Sequence, residues 1–157
     1  MKDMTLVLPV RDGKILLGMK KRGFGAGKVN GFGGKLEEGE SIVEAAVREL
    51  AEEVGLEVGI ENLNKMAELE FRFPHQVEEG WDQLVHVFMI EDWSGEPAES
   101  EEMGFEWHDL DKIPFERMWD DDKHWLPEVL RGRKVKGKFS FGEDNSTIDA
   151  QEIVDMS

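Results

Sequence analysis

Residues 34–56 read GKLEEGESIVEAAVRELAEEVGL, and this stretch decides the fold. Its middle is a helix with both ends written in. Ser41 is an N-cap, and Glu44, three residues on, completes a capping box. Gly55 supplies the stop after the last turn. Val43, Ala46, Val47, Leu50 and Val54 recur at helical spacing, so the helix over 41–54 turns an apolar stripe to a core. Another face is acidic. Glu49 and Glu53 are four apart and share it, and Glu52 borders it. Crowded carboxylates repel one another unless a hard cation sits between their oxygens, and magnesium prefers oxygen ligands. Arg48 lies four residues from both Glu44 and Glu52 and can hold such carboxylates in orientation. The glycines before the helix let the backbone approach a metal or phosphate closely. A solvated acidic face would account for the glutamates alone. It does not account for the glycine loop, the arginine and the terminal glycine together.

Upstream, Thr5 to Val10 reads as a strand, Asp12-Gly13 as a hairpin turn, and Lys14 to Met19 as the returning strand. The glycines from Gly23 to Gly34 do not form a phosphate-binding loop of the strand–helix kind. Gly27-Lys28 is followed by Val29, and Arg22 holds the place of that motif's first glycine. A dinucleotide fingerprint fails for want of its third glycine. Downstream, Ala67, Leu69, Phe71 and Phe73 alternate with charged residues, as in a strand with one wet face. Leu84 to Ile90 is apolar on both faces and predicts a central strand. Phe105 to His108 is a short strand, and a second helix over about 122–130 buries Trp125, Leu126 and Val129. Lys134 to Phe141 and Thr147 to Ile153 close the chain as strands. The class is α/β, a mixed sheet with a helix on each side.

The chain has 157 residues, enough for one domain over 1–157 with a sizeable core. No apolar run approaches the roughly 18 residues of a membrane span. The opening Met1-Lys2-Asp3-Met4 leads into a strand rather than a secretory leader, so the expected location is the cytoplasm and no membrane partner is expected. The absence of cysteine excludes disulfides and thiolate chemistry. A net charge of −16 disfavours nucleic-acid polymers, whose backbones are bound by Lys and Arg. Yet Met19 to Leu36 carries Lys20, Lys21, Arg22, Lys28 and Lys35 with no acid. A local positive field on an acidic protein suits a small anion. The basic run from Arg131 to Lys138 reads as a solvated helix end and strand. His75, His86, His108 and His124 have no metal-ligand spacing, and His86 reads as a satisfied core residue.

The stretch 34–56 resembles the signature of the Nudix hydrolase family. Gly34, Glu40, Arg48, Glu49, Leu50, Glu52, Glu53, Gly55 and Leu56 fill its nine specified positions. The resemblance implies a Nudix α/β/α sandwich. It also implies Mg²⁺ (or Mn²⁺) held by Glu49, Glu53 and Glu52 with the Gly33 carbonyl nearby, Arg48 beside them, and a small nucleotide as substrate.

Residues 17–40 and 113–127 are further similar to the oxidised-purine nucleoside triphosphatases of the 8-oxo-dGTP diphosphatase type. That likeness puts a base-reading amide on Asn30, a stacking indole on Trp119 and two reading carboxylates on Asp121 and Asp122. Phe24, Thr5 and Lys20 would line the pocket, and Glu102 would add a metal-side carboxylate. Val29 departs from the family's usual tryptophan and Asp120 from its usual proline. Physical reasoning is consistent with this. Trp119 offers a flat face to a purine. Neighbouring carboxylates in a closed pocket do not ionise together, so the pair can hold one proton and offer both a donor and an acceptor. Asp120 alone reads as an acid favoured by a helix N-terminus, and Trp81, Trp93, Trp107 and Trp125 read as packing residues. The expected activity is hydrolysis of oxidised purine nucleoside triphosphates to monophosphate and pyrophosphate. The alternatives are a Nudix hydrolase of ADP-ribose or a dinucleoside polyphosphate, or a non-catalytic nucleotide sensor. A monomer is expected.

Overall fold

The computed structural model describes residues 1–23 and 25–156. Strand β1 (Lys2–Arg11) turns at Asp12-Gly13, both with positive φ, into β2 (Lys14–Lys20). A two-residue β3 (Val29–Asn30) precedes the helix α1 (Ile42–Val54). Then come β4 (Asn64–Arg72), β5 (Gln83–Ile90), β6 (Met103–Asp109), α2 (Asp122–Leu130), β7 (Val135–Phe141) and β8 (Ile148–Asp155). The sheet runs β3-β2-β1-β5-β4-β7-β8, with β6 on β2. Pairs β1–β5 and β4–β7 are parallel, and the rest are antiparallel. The expected central strand is β5, held between β1 and β4.

Alternation along the strands splits the core in two. Val7, Leu16, Phe88 and Ile90 face α1 and pack with its Ala46, Leu50 and Val54. Leu6, Leu8, Ile15, Leu17 and Val87 face the other way, toward Trp125, Leu126 and Val129 of α2. Each fully buried aliphatic side chain contributes about 1.5–3 kcal/mol. This is the expected sandwich, with one helix on each face of a mixed sheet.

Helix α1 begins and ends as its sequence dictates. The Ser41 hydroxyl accepts from the Glu44 N–H at 3.2 Å, and Glu44 accepts from the Ser41 N–H at 2.9 Å. Gly55 closes the helix with φ 77°. Among the described residues no helix is long and apolar enough to cross a membrane.

The segment between β3 and α1 lies along the first half of β1. The Thr5 N–H donates to the Gly34 carbonyl at 2.9 Å, and Val7 and Phe32 exchange both backbone bonds. Gly33 has no room for a side chain, because a Cβ there would fall 1.7 Å from the Thr5 carbonyl oxygen. That neighbour is backbone in the sheet and cannot swing away. Gly33→Ala is therefore expected to destabilise the fold by at least the roughly 1–3 kcal/mol of an overpacked core site. In thermal unfolding, Tm should fall by about 2–4 °C for each kcal/mol. An unchanged Tm would show that the loop is not held against β1.

Candidate active site

The sheet, the two helices and the 31–34 segment enclose one cavity of about 750 Å³. At one end stand Gly33, Gly34, Glu49, Glu53 and Glu102; Asn30, Trp119, Asp121 and Asp122 line the same cavity. Thr5, Lys20, Arg22 and Lys28 also line it. Of the expected site residues, Phe24 lies outside the described residues, and Arg48 and Glu52 do not line the cavity. Glu52 is on the outer side of α1 with its side chain 58% exposed, paired with Arg48.

The acidic end is organised by one arginine. Arg48 grips Glu40 with two bonds of 2.8 and 2.9 Å, and reaches Glu49 at 2.9 Å, Glu52 at 3.2 Å and the Lys35 carbonyl at 3.0 Å. Helical spacing had pointed to Glu44 as a partner. The Glu44 carboxylate is instead committed to the capping box, and Glu40 takes its place from the preceding loop. That grip holds the Glu40 carboxyl down at about 2.

Glu53 sits deeper. One of its oxygens accepts from the Gly33 N–H at 2.8 Å. Burial pushes its carboxyl up to about 8, and the charges of Glu49 and Glu102 add to this against Gly33 and Lys20. Burial also raises Glu49, opposed by Arg48. Gly34 leaves the space that the Glu49 carboxylate occupies, since a Cβ there would meet it at 2.7 Å. Among the described residues no three acidic or histidine side chains are gathered closely enough to hold a metal ion by themselves. The donors form an open set of oxygens, two from one helix turn and one from Glu102. This chemistry fits Mg²⁺, which binds through one or two carboxylates and completes its shell with water and phosphate oxygens.

The aspartate pair is buried in a different way. Asp121 and Asp122 are 5% and 2% exposed at the start of α2. Asp121 accepts from the Trp125 indole N–H at 2.8 Å, and Asp122 from the Trp119 backbone N–H at 3.1 Å. Desolvation pushes Asp121 up to about 6, and Asp122 rises well above the usual value, with the Asp121 charge adding to it. One proton held between them is the arrangement this burial favours. Asp120, by contrast, points away from the pair. It accepts from the Ile148 N–H at 3.0 Å and pairs with Lys123 at 2.8 Å. Trp119 is backed by Gly25, where a Cβ would come within 3.0 Å of the indole, and the Lys28 ammonium stands 5.1 Å from its ring centroid.

The basic patch expected from the sequence divides. Lys20, Arg22 and Lys28 line the cavity, whereas Lys21 bonds Glu99 at 2.9 Å and Lys35 is exposed outside it. Acids from the segment before β6 thus neutralise part of the field. Trp125 does pack in the core, but its N–H also orients Asp121, and Trp107, though 38% exposed, stacks on Trp93 at 6.4 Å. His86 is satisfied as expected, between Lys65 and Asp3 at 2.9 Å each. Sequence reasoning missed the far wall of the cavity: Phe71, Phe73, Phe141, Gln83 and Asn145. Phe73 and Phe141 stack at 4.8 Å. Their alternation is that of any core strand, so no sequence signal marked them.

The NUDIX domain family model matches residues 2–129. The chain belongs to the Nudix hydrolase family. It is 51% identical to an oxidized purine nucleoside triphosphate hydrolase of Danio rerio, over 89% of this chain and 86% of that protein. It is 48% identical to one of the same name from Mus musculus, over 92% and 88%. Its fold is similar to the crystal structure of a mutator MutT protein from Bacillus halodurans, with a TM-score of 0.81, 23% identity and coverage of 98% and 97%. Nudix hydrolases generally use divalent metals.

The buried aspartates give a stability test with a definite sign. A carboxyl raised by folding is better protonated in the folded chain than in the unfolded one. Stability is therefore lost as pH rises from the unfolded value near 3.8 through about 6, and is level above that. Asp121→Asn keeps an acceptor for Trp125 and removes the buried charge. Its Tm should exceed that of the natural chain at pH 7.5, and the gap should close below about pH 4. A lower Tm at pH 7.5 would show that Asp121 is held as a stable carboxylate.

Proposed function

We propose that this chain hydrolyses oxidised purine nucleoside triphosphates, such as 8-oxo-dGTP and 2-hydroxy-dATP, to the monophosphate and pyrophosphate with Mg²⁺ (or Mn²⁺) as cofactor. It would thereby clear damaged precursors from the nucleotide pool, with residues 1–157 acting as one domain. The observation that carries this reading is a single cavity lined both by the α1 carboxylates and by a buried aspartate pair beside an indole. The names of the two similar proteins from Danio rerio and Mus musculus support it.

In this reading Glu49, Glu53 and Glu102 hold the metal, with the Gly33 carbonyl beside them and Glu52 reached through water. When bound, Mg²⁺ supplies neutralisation of phosphate oxygens and a lowered pKa for water. Arg48 keeps Glu49 and Glu52 in register and anchors them to the loop through Glu40. The Gly33 N–H fixes the orientation of Glu53. Lys20 and Arg22 face the cavity as cations for the phosphate chain, and Thr5 lines it beside Gly34. The base stacks on Trp119, where such contacts contribute roughly 1–3 kcal/mol. Asn30, Asp121 and Asp122 read its edge. The Asn30 carbonyl already accepts from the Gly31 N–H at 2.8 Å, so its amide N–H groups are directed to a ligand. The aspartate pair with one proton offers a donor and an acceptor together, which suits more than one modified purine.

The test is kcat/KM for 8-oxo-dGTP, 2-hydroxy-dATP, dGTP and ADP-ribose, with chromatography of the products. Glu53→Gln keeps an acceptor for Gly33 and should lose most of kcat with Tm no lower than that of the natural chain. Asp121→Asn and Asp122→Asn should each cut kcat/KM for 8-oxo-dGTP by far more than a missing methylene would, while residual hydrolysis persists. Retained activity in Glu53→Gln would overturn the metal site. Unchanged substrate preference in both aspartate variants would place base recognition elsewhere, and a preference for ADP-ribose would favour the other Nudix reading.

A further inference from the structure

The loop between β7 and β8 brings one polar side chain to the cavity that neither the sequence motif nor the proposed base contacts include. Asn145 lines the cavity, and its side-chain Oδ1 is buried with no hydrogen-bond partner among the described residues. Three other polar side chains that line the same cavity are engaged: Asp121 with Trp125, Asp122 with the Trp119 N–H, Asn30 with the Gly31 N–H. Buried polar atoms are rarely left unpaired, and one that is calls for a reason.

The conformation of the loop does not supply that reason. Asn145 has φ 58°, a left-handed backbone that asparagine tolerates better than most residues. Its own N–H donates to the Gly142 carbonyl at 2.9 Å. The turn is braced by Asp144, which accepts from the Ser146 N–H at 3.0 Å and the Thr147 N–H at 2.8 Å. The Gly142 N–H closes it onto the Thr147 carbonyl at 2.9 Å. None of these bonds uses the Asn145 side-chain oxygen. The loop is framed without it.

The loop is also tied to the base-reading segment. Asp120 is the acid that stands where the resemblance has proline, and its carboxylate accepts from the Ile148 N–H at 3.0 Å. Ile148 is the first residue of β8, three beyond Asn145, and Asp120 immediately precedes the aspartate pair. A proline side chain has no acceptor with which to make this contact.

We propose that Asn145 is a further specificity-determining residue, whose carbonyl accepts a hydrogen bond from an N–H of the bound purine, and that Asp120 positions it by fastening the loop to the base-reading segment. This rests on the reading of the cavity as a purine pocket. A carboxamide oxygen at that place favours a base that presents a donor there, and disfavours one that presents an acceptor.

The experiment measures KM, kcat and Tm with 8-oxo-dGTP in the full-length chain. Asn145→Gly keeps the left-handed backbone without strain and removes only the amide. It should raise KM about two- to tenfold, the worth of one neutral hydrogen bond, with a much smaller change in kcat and no fall in Tm. Asp120→Ala should raise KM in the natural background and add nothing in the Asn145→Gly background, as coupled residues do. Asp120→Asn retains an acceptor for Ile148 and should restore KM, which a charge effect on the pocket would not. If the natural chain hydrolyses 8-oxo-dGTP and Asn145→Gly leaves KM unchanged, the role of Asn145 is overturned while the purine pocket stands. Effects of Asp120→Ala that simply add to those of Asn145→Gly overturn the positioning by Asp120. If the natural chain hydrolyses no purine triphosphate, the purine pocket fails and the proposal fails with it.

Discussion

Residues 32–35 lie against the backbone of β1, and Gly33 is where the two come closest. The contact places three things at once. It pairs the loop with β1 through Thr5 and Val7, so the loop becomes part of the sheet rather than a flexible connection. It turns the Gly33 N–H toward Glu53, which ties the loop to α1. It leaves, at Gly34, the space that the Glu49 carboxylate fills. A single Cβ at Gly33 would push on β1, move the N–H from Glu53 and shift the helix face that carries the acids. The glycines of this segment are therefore a packing requirement first, and the approach of a ligand to the backbone follows from it.

The electrostatics of the cavity run against the overall charge of −16. At the acidic end the carboxylates are kept from drifting apart by Arg48, which pairs with two acids in the loop and two on the helix. The remaining repulsion falls on Glu53, whose carboxyl is held high by burial and by its neighbours. Among the described residues no cation pairs directly with Asp121 or Asp122, and burial is the largest cause of their shift. Both groups make folding less favourable at neutral pH than their amides would. That is the pattern of a protein that retains costly charges where a ligand needs them. The basic residues are partly cancelled. Lys21 is held by Glu99 and Arg22 pairs with Glu101 at 3.5 Å, while Lys20 and Lys28 also line the cavity.

Much of this was legible in the sequence, and the boundary of legibility has a physical cause. The helix 41–54 was readable because caps are local rules, complete within a few residues. The strands and the two-faced core followed from alternation. The acids of α1 were conspicuous because they share one helix face, whereas Asp121 and Asp122 were singled out by the resemblance over residues 113–127. Of the two acids that spacing offered Arg48, Glu52 is a partner and Glu44 is not, because helical spacing says which groups are near, not which are already committed. Glu44 was near, and the Ser41 N–H had taken it. The aromatic wall was invisible because Phe71, Phe73 and Phe141 alternate as core residues do, whether the space beyond them is filled or open. Asn145 was invisible because an asparagine in Gly142-Glu143-Asp144-Asn145-Ser146-Thr147 looks like any turn residue. Only its position against distant segments gives the side chain a destination.

The two parts of the cavity impose opposite demands, and the sheet reconciles them. In the proposed function the metal-side acids stay close together and partly hydrated, so that a cation and phosphate oxygens can complete the set. The aspartate pair must be dry, since water would let both carboxylates ionise and would erase the difference between donor and acceptor. A single helix carrying both sets would expose or bury them together. Here α1 carries the first set from one face of the sheet and the start of α2 carries the second from the other. The 31–34 segment, almost bare of side chains, is the part of the wall across which both can reach one cavity. The division lets the base pocket change its hydrogen-bonding groups without disturbing the acids of α1. Asp120 illustrates the freedom this allows. It stands where the resemblance has proline, and its carboxylate accepts from the backbone of Ile148 at the start of β8.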